Sequence, residues 1–195
     1  MPTTTRAERL SQKIPVGPLR DLLPVGPAYP MVGPNQATLR QPIGAPAATV
    51  FRWLEDADVW NEFLDIDVEW TNPEPRGIGT TRTVTVNNQT IEEYFVVWEP
   101  GRRMVFRFDR CTLPLRAFAE SWSVEATGDD SCELVWSTAF DWTGRGAGMT
   151  AKAVRAGFSA NGKKALAKLA GLVEADLDRF EVAAGTNDPD EGGAA

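Results

Sequence analysis

Arg82, Glu93 and Glu120 interrupt segments whose alternation is otherwise apolar. Arg82 shares its side of the chain with Val84 and Val86, Glu93 with Phe95 and Val97, and Glu120 with Trp122 and Val124. Every second side chain of a strand faces the same way, so the three charges turn inward with their apolar partners. A charge in such a place must be paired or must reach water at a pocket mouth. Two chemistries follow. Arg82 and Glu93 either pair across adjacent strands as a structural ion pair, the more expected outcome, or orient the polar head of a ligand. A carboxyl among apolar rings keeps its proton to higher pH, so Glu93 or Glu120 could act as a general acid or base. Register decides the matter, because a slip of one residue exchanges Glu93 with Glu92 and turns the charge outward.

The remaining inventory is restrictive. The chain of 195 residues has no histidine, and its two cysteines, Cys111 and Cys132, stand at no ligand spacing. No Ser-His-Asp or Cys-His nucleophile can be assembled, and zinc or non-haem iron sites of the usual histidine type are excluded. No metal or other cofactor is expected, and the cysteines read as buried thiols. Seven tryptophans and nine phenylalanines suit a pocket for an apolar molecule. A net charge of −7 argues against nucleic acid and against anionic lipid surfaces as partners. No apolar run reaches the length of a membrane span. Thr3, Thr4 and Thr5 are followed by Arg6, without the apolar run of a signal peptide, so a cytoplasmic location is expected.

Three segments are expected to position these residues. Residues 1–35 repeat one turn phrase, Pro15-Val16-Gly17-Pro18, Pro24-Val25-Gly26-Pro27 and Met31-Val32-Gly33-Pro34. Proline fixes φ and removes donors, so no helix beyond a turn or two can form. Leu19, Leu22, Leu23, Tyr29 and Met31 lie between the phrases. They make the segment either a disordered leader or an extended arm lying on the domain or on a protein partner. Residues 36–181 form the domain, and 182–195 an acidic tail expected to be disordered.

Within the domain a strand at 37–43 leads to Pro46, which can open a helix, with Val50, Phe51, Trp53 and Leu54 on its apolar face. A second short helix covers 59–64, and Ile66, Val68 and Trp70 alternate as a half-buried strand. Five further strands, at 80–86, 90–98, 103–108, 117–126 and 133–142, are joined by short polar turns such as Asn87-Asn88, which implies an antiparallel meander. A helix over 149–180 closes the chain, with Val154, Phe158, Gly162, Ala165, Leu169, Val173 and Phe180 on one face. Lys152, Lys163, Lys164 and Lys168 lie mostly on the other. A glycine on the buried face, such as Gly162, points to close approach or to room left for something else.

Five groups of residues carry a family resemblance. They are Ile43-Gly44-Ala45-Pro46-Ala47, Trp60-Asn61-Glu62-Phe63, Gly77-Ile78-Gly79-Thr80, Trp98-Glu99-Pro100-Gly101-Arg102-Arg103, and Trp122-Ser123-Val124 with Leu134-Val135-Trp136. With the order of elements, these residues resemble the START-like helix-grip (SRPBCC) superfamily, in its polyketide cyclase/dehydrase-like branch, over 38–180. The resemblance implies an α+β helix-grip fold: a curved antiparallel sheet of six to seven strands wrapped on a long C-terminal helix, with two short helices after the first strand. It also implies a cavity between sheet and helix. The family includes carriers and enzymes, and fold-level analogy does not choose between them.

The expected function is therefore binding of a small, mostly apolar molecule, a lipid or an aromatic, polyketide-like metabolite. The alternatives are a cyclase or dehydratase using a buried carboxylate, and an interaction module recruited through residues 1–35. The residues expected to line the ligand site are Arg82, Glu93, Phe95, Phe106, Glu120, Trp122, Trp136 and Phe158. Ser159 and Asn161 could add hydrogen bonds.

Overall fold

Inward-facing aromatic residues on four successive strands need a common partner, and the chain supplies it by curving one sheet around its last helix. The computed structural model describes residues 16–143 and 147–180. The first 15 residues of the arm and the expected tail lie outside the described residues.

The elements run β1 (Arg20–Asp21), α1 (Tyr29–Val32), β2 (Ala37–Ile43), α2 (Ala47–Glu55), α3 (Ala57–Leu64), β3 (Asp67–Trp70), β4 (Thr81–Val86), β5 (Gln89–Glu99), β6 (Arg103–Cys111), β7 (Leu115–Gly128), β8 (Ser131–Trp142) and α4 (Ala147–Ala175). Seven strands pair antiparallel in the order β2-β8-β7-β6-β5-β4-β3. Asn87 and Asn88 both take left-handed φ values of 48° and 64°. That is the geometry of the tight hairpin turn whose twist matches its strands. Asp56 closes α2 and caps α3, its Oδ1 accepting from the backbone N–H of Asp58 and Val59.

The sheet has one strand more than the six to seven expected, because the arm contributes one. β6 and β7 pair from Arg103↔Ser123 to Arg107↔Ala119 and then part. β1 fills the gap, pairing Arg20 with Cys111 and Asp21 with Arg110. Leu22 N donates to Asp109 O on one side and Leu23 N to Arg116 O on the other, both at 2.8 Å. Leu22 is buried in the core. A register shift in the β5–β6 ladder leaves Asp109 unpaired with β5, which turns β6 where the arm enters. The arm then makes one turn of helix, α1, and crosses the outer face of the sheet. Small outward residues there, Ala119, Ser121, Ser137 and Ala139, are buried beneath it.

Two expectations are corrected. Val97 was expected inward after Phe95. A second register shift between Phe95 and Val97 reverses the alternation, so Val97 pairs outward with Val105 and Trp98 takes the inner place beside Met104. Trp98 packs on Phe51, Trp70 and Phe95. The last helix ends at Ala175 rather than Phe180. The chain turns back so that Phe180 meets Trp53 edge-on at 5.5 Å, secured by Arg179 pairing with Glu62 and by Arg52 Nη1 donating to Phe180 O.

Candidate functional site

Arg82 and Glu93 are directly paired residues of β4 and β5, so both side chains rise from the same inner face. Arg82 Nε meets Glu93 Oε2 at 2.5 Å, with the side chains 1% and 5% exposed. The guanidinium lies among Trp60, Phe106, Trp70 and Phe95, its carbon 4.2–5.2 Å from their ring centres. Flat aromatic faces are the apolar surroundings that best tolerate a cation. Nη1 has no hydrogen-bond partner among the described residues.

Glu120 stands two strands away, opposite Phe106 of β6. Its Oε2 accepts two indole N–H groups, from Trp122 at 2.9 Å and from Trp136 at 3.0 Å. Trp122 and Trp136 are themselves paired across β7 and β8 and stack with ring centres 4.4 Å apart. One guanidinium thus serves two buried carboxyl groups, and the surplus negative charge is removed by a proton. Burial, and then the charge of Glu93, push Glu120 up to about 8 against the pull of the two indoles. Burial pushes Glu93 up as well, against the attraction of Arg82. Near neutral pH Glu120 keeps its proton beside the Arg82–Glu93 contact.

Above this layer a cleft of about 420 Å³ opens between the C-terminal end of α3 and the middle of α4. Phe63, Trp136 and Phe158 give it aromatic walls, with Leu64 and Ala165 beside them, and Asp65, Asn161, Lys164 and Lys168 add polar groups. Phe158 sets its edge on Trp136 at 4.4 Å. At Gly162 α4 packs directly on side chains of the sheet. A Cβ there would overlap the Leu39 Cδ1 methyl and approach Trp136 Cζ3 at 3.2 Å.

The eight residues expected at the site divide into two groups. Trp136 and Phe158 line the cleft. Arg82, Glu93, Phe95, Phe106, Glu120 and Trp122 lie in the packed interior behind it. The link is Trp136, one face on the cleft and its indole N–H on Glu120. Asn161 lines the cleft, whereas Ser159 faces a separate groove with Gln36 and Thr38. Expectation missed Phe63, Leu64 and Lys164 as cleft residues. Phe63 lies in the quoted Trp60-Asn61-Glu62-Phe63 segment, but nothing in a short helix's sequence says which element it faces. Among the described residues, no three of Cys, Asp and Glu gather to hold a metal, and no helix is long and apolar enough to cross a membrane.

A single antiparallel sheet curved on a C-terminal helix, with an aromatic cleft between them, defines a helix-grip protein. The family described as polyketide cyclase / dehydrase and lipid transport matches residues 35–174, and the chain belongs to it. Uncharacterized proteins of Mycobacterium tuberculosis and Mycobacterium bovis are 40% identical over 94 residues, 46% of this chain and 56% of theirs. The chain therefore spans about half the length of the curated relatives it matches. Among solved structures, the Zhui aromatase/cyclase from Streptomyces sp. R1128 superposes with a TM-score of 0.60 at 19% identity, over 77% of this chain and 97% of that one. One part of the di-domain ARO/CYC BexL gives 0.59 at 20% identity, over 73% of this chain and 47% of that one. At these identities the likeness is one of fold.

Proposed function

We propose that this protein binds a small, mostly apolar molecule, a lipid or an aromatic, polyketide-like metabolite, in the cleft between Trp136, Phe63 and α4. The observation that carries the reading is the cleft itself. Its volume of about 420 Å³ falls within the roughly 300–1,000 Å³ of small-molecule sites, and its mix of aromatic walls with a few polar groups is typical of them. Trp136 is held from behind by Trp122 and Glu120, so its ring is oriented before a ligand arrives, which lowers the ordering cost of binding. The family's range, which includes lipid transport, and the structural likeness to aromatase/cyclases support the same class of ligand.

Native mass spectrometry of the freshly purified protein tests this directly, with a co-purifying apolar molecule as the expected result. Quenching of tryptophan fluorescence by a polycyclic aromatic probe should saturate, and Phe158→Ala should weaken it. An empty protein whose fluorescence no such probe quenches would overturn the reading.

One observation favours a second reading, a cyclase or dehydratase. Glu120 is held as a neutral acid near neutral pH, the state that can protonate a carbonyl or a departing hydroxyl. It lies behind Trp136, so a substrate would have to displace that ring to reach it. Turnover lost in Glu120→Gln with ligand binding retained would establish this reading. Recruitment of a protein partner through residues 1–35 has less support, because Leu22 and Pro30 are buried against the chain's own sheet.

A further inference from the structure

A second and larger cavity lies on the opposite face of the sheet. The outer face of a one-layer curved sheet ordinarily meets water. Here Ser121 keeps 5% and Ser137 2% of its surface, because α1 and the segments beside it lie above them. α1 sets Pro30 against the sheet and leaves Met31 and Val32 largely exposed. Between Met31 and the strands runs a groove of about 610 Å³. Its floor is Thr38 of β2, Ser121 and Ser123 of β7, and Val135 and Ser137 of β8, and it ends at the turn Gly101-Arg102-Arg103. The family match begins at residue 35, so the arm that makes one wall of this groove lies outside it.

The charges around the groove are not equally engaged. Arg40 pairs with Glu125 and Glu133, and Arg102 pairs with Glu99. Arg103 takes part in none of the described ion pairs. Its Nε donates only a long 3.4 Å hydrogen bond to Ser121 Oγ. A guanidinium is always charged and presents a planar fork that matches a carboxylate. Hydroxyls beside it can donate or accept. Met31 offers an adaptable thioether to the same groove, which the apolar Val135 also lines.

We propose that this outer groove is a second ligand site, independent of the inner cleft, for a small amphipathic carboxylate. The carboxylate would bind the Arg103 guanidinium beside Ser121 and Ser123, and the apolar body would lie under Met31 against Val135.

The test is titration of the full, ¹⁵N-labelled chain with octanoate, followed by backbone amide NMR. Saturable shifts are expected at Met31, Thr38, Ser121, Ser123 and Ser137. Arg103→Gln should weaken them about tenfold or more, the loss of one charge-assisted contact. Met31→Asp, at an exposed position that leaves folding intact, should weaken them too, by placing a like charge over the chain. Octan-1-ol, which lacks the carboxylate, should bind more weakly than octanoate. Shifts confined to Trp136, Phe158 and Ala165 would overturn the outer site while leaving the inner cleft standing. Outer shifts unchanged in Arg103→Gln, or equal binding of octan-1-ol, would overturn it as well. An inner cleft that takes no aromatic probe leaves this outcome untouched, so the two sites fail separately.

Discussion

Arg82 of β4 and Glu93 of β5 face each other in register and join by a 2.5 Å contact inside the curve of the sheet. Glu120 shares the same apolar surroundings, so the pair behaves as part of a group of three. Glu93→Gln removes the charge that helps keep Glu120 protonated, and it leaves Arg82 in need of a partner. The pKa of Glu120 is therefore expected to fall. The loss of stability should be about 3–5 kcal/mol while Glu120 is neutral, and smaller once Glu120 ionises and compensates the guanidinium. Urea denaturation at pH 5 and at pH 8 reads this, and equal losses at the two pH values would show that the carboxyl groups do not share Arg82.

Glu120 makes folding pH-dependent in a stated direction. Its ordinary value is 4.5 and its folded value about 8. Between those values the folded chain keeps a proton that the unfolded chain has released. The stability from this group is complete below about pH 4.5 and is lost as pH rises through 8, with a slope of about 1.4 kcal/mol per pH unit. Glutamine keeps a carbonyl oxygen for both indoles and cannot ionise. Glu120→Gln should flatten the decline between pH 5 and 8 and exceed the wild type at pH 8 by on the order of 4 kcal/mol. Denaturation midpoints across that range check it, and parallel curves for the two proteins would refute a buried neutral acid.

Two glycines of α4 should respond to alanine with opposite signs. Gly171 has open space where a Cβ would go, so Gly171→Ala should stabilise by about 0.5–1 kcal/mol through helix propensity. At Gly162 the same methyl would overlap Leu39 and crowd Trp136. Overpacking of about 1–3 kcal/mol should outweigh the propensity gain there. Thermal melts of both variants decide it, and a stabilised Gly162→Ala would mean that α4 can ride away from β2 without cost.

The arm should contribute to stability through one leucine and not its neighbour. Leu22 is 8% exposed within the core and Leu23 is 54% exposed. Leu22→Ala should cost about 2–4 kcal/mol, and Leu23→Ala less than about 0.5 kcal/mol. Equal, small effects would show that β1 does not hold between β6 and β7 in solution.

Much of the fold was legible because the spacing of side chains carries it directly. The alternation in 80–86, 117–126 and 133–142 returned strands with the expected inner faces, and the ion pair followed from the register of β4 and β5. The pattern broke where a single residue left the ladder: the shift beyond Phe95 moved Trp98 inward, and no periodicity announces such a shift in advance. The small outward residues of β7 and β8 were a signal of the arm's path, since a water-facing strand has little reason to alternate serine and alanine with tryptophan.

By itself the sequence determined which chemistry was open. The absence of histidine left carboxyl groups, arginines and aromatic rings, and alternation put Arg82, Glu93, Glu120 and several of the rings inside one sheet. Only the tertiary structure decided how they share the space. Whether Glu120 is a ligand group or a buried acid depends on which rings cover it, and that is set by where α3 and α4 meet the sheet. The same holds for the cleft, whose walls come from elements about a hundred residues apart. Local spacing governs backbone conformation and facing, but cavities and protonation depend on packing between distant segments, which local pattern does not encode.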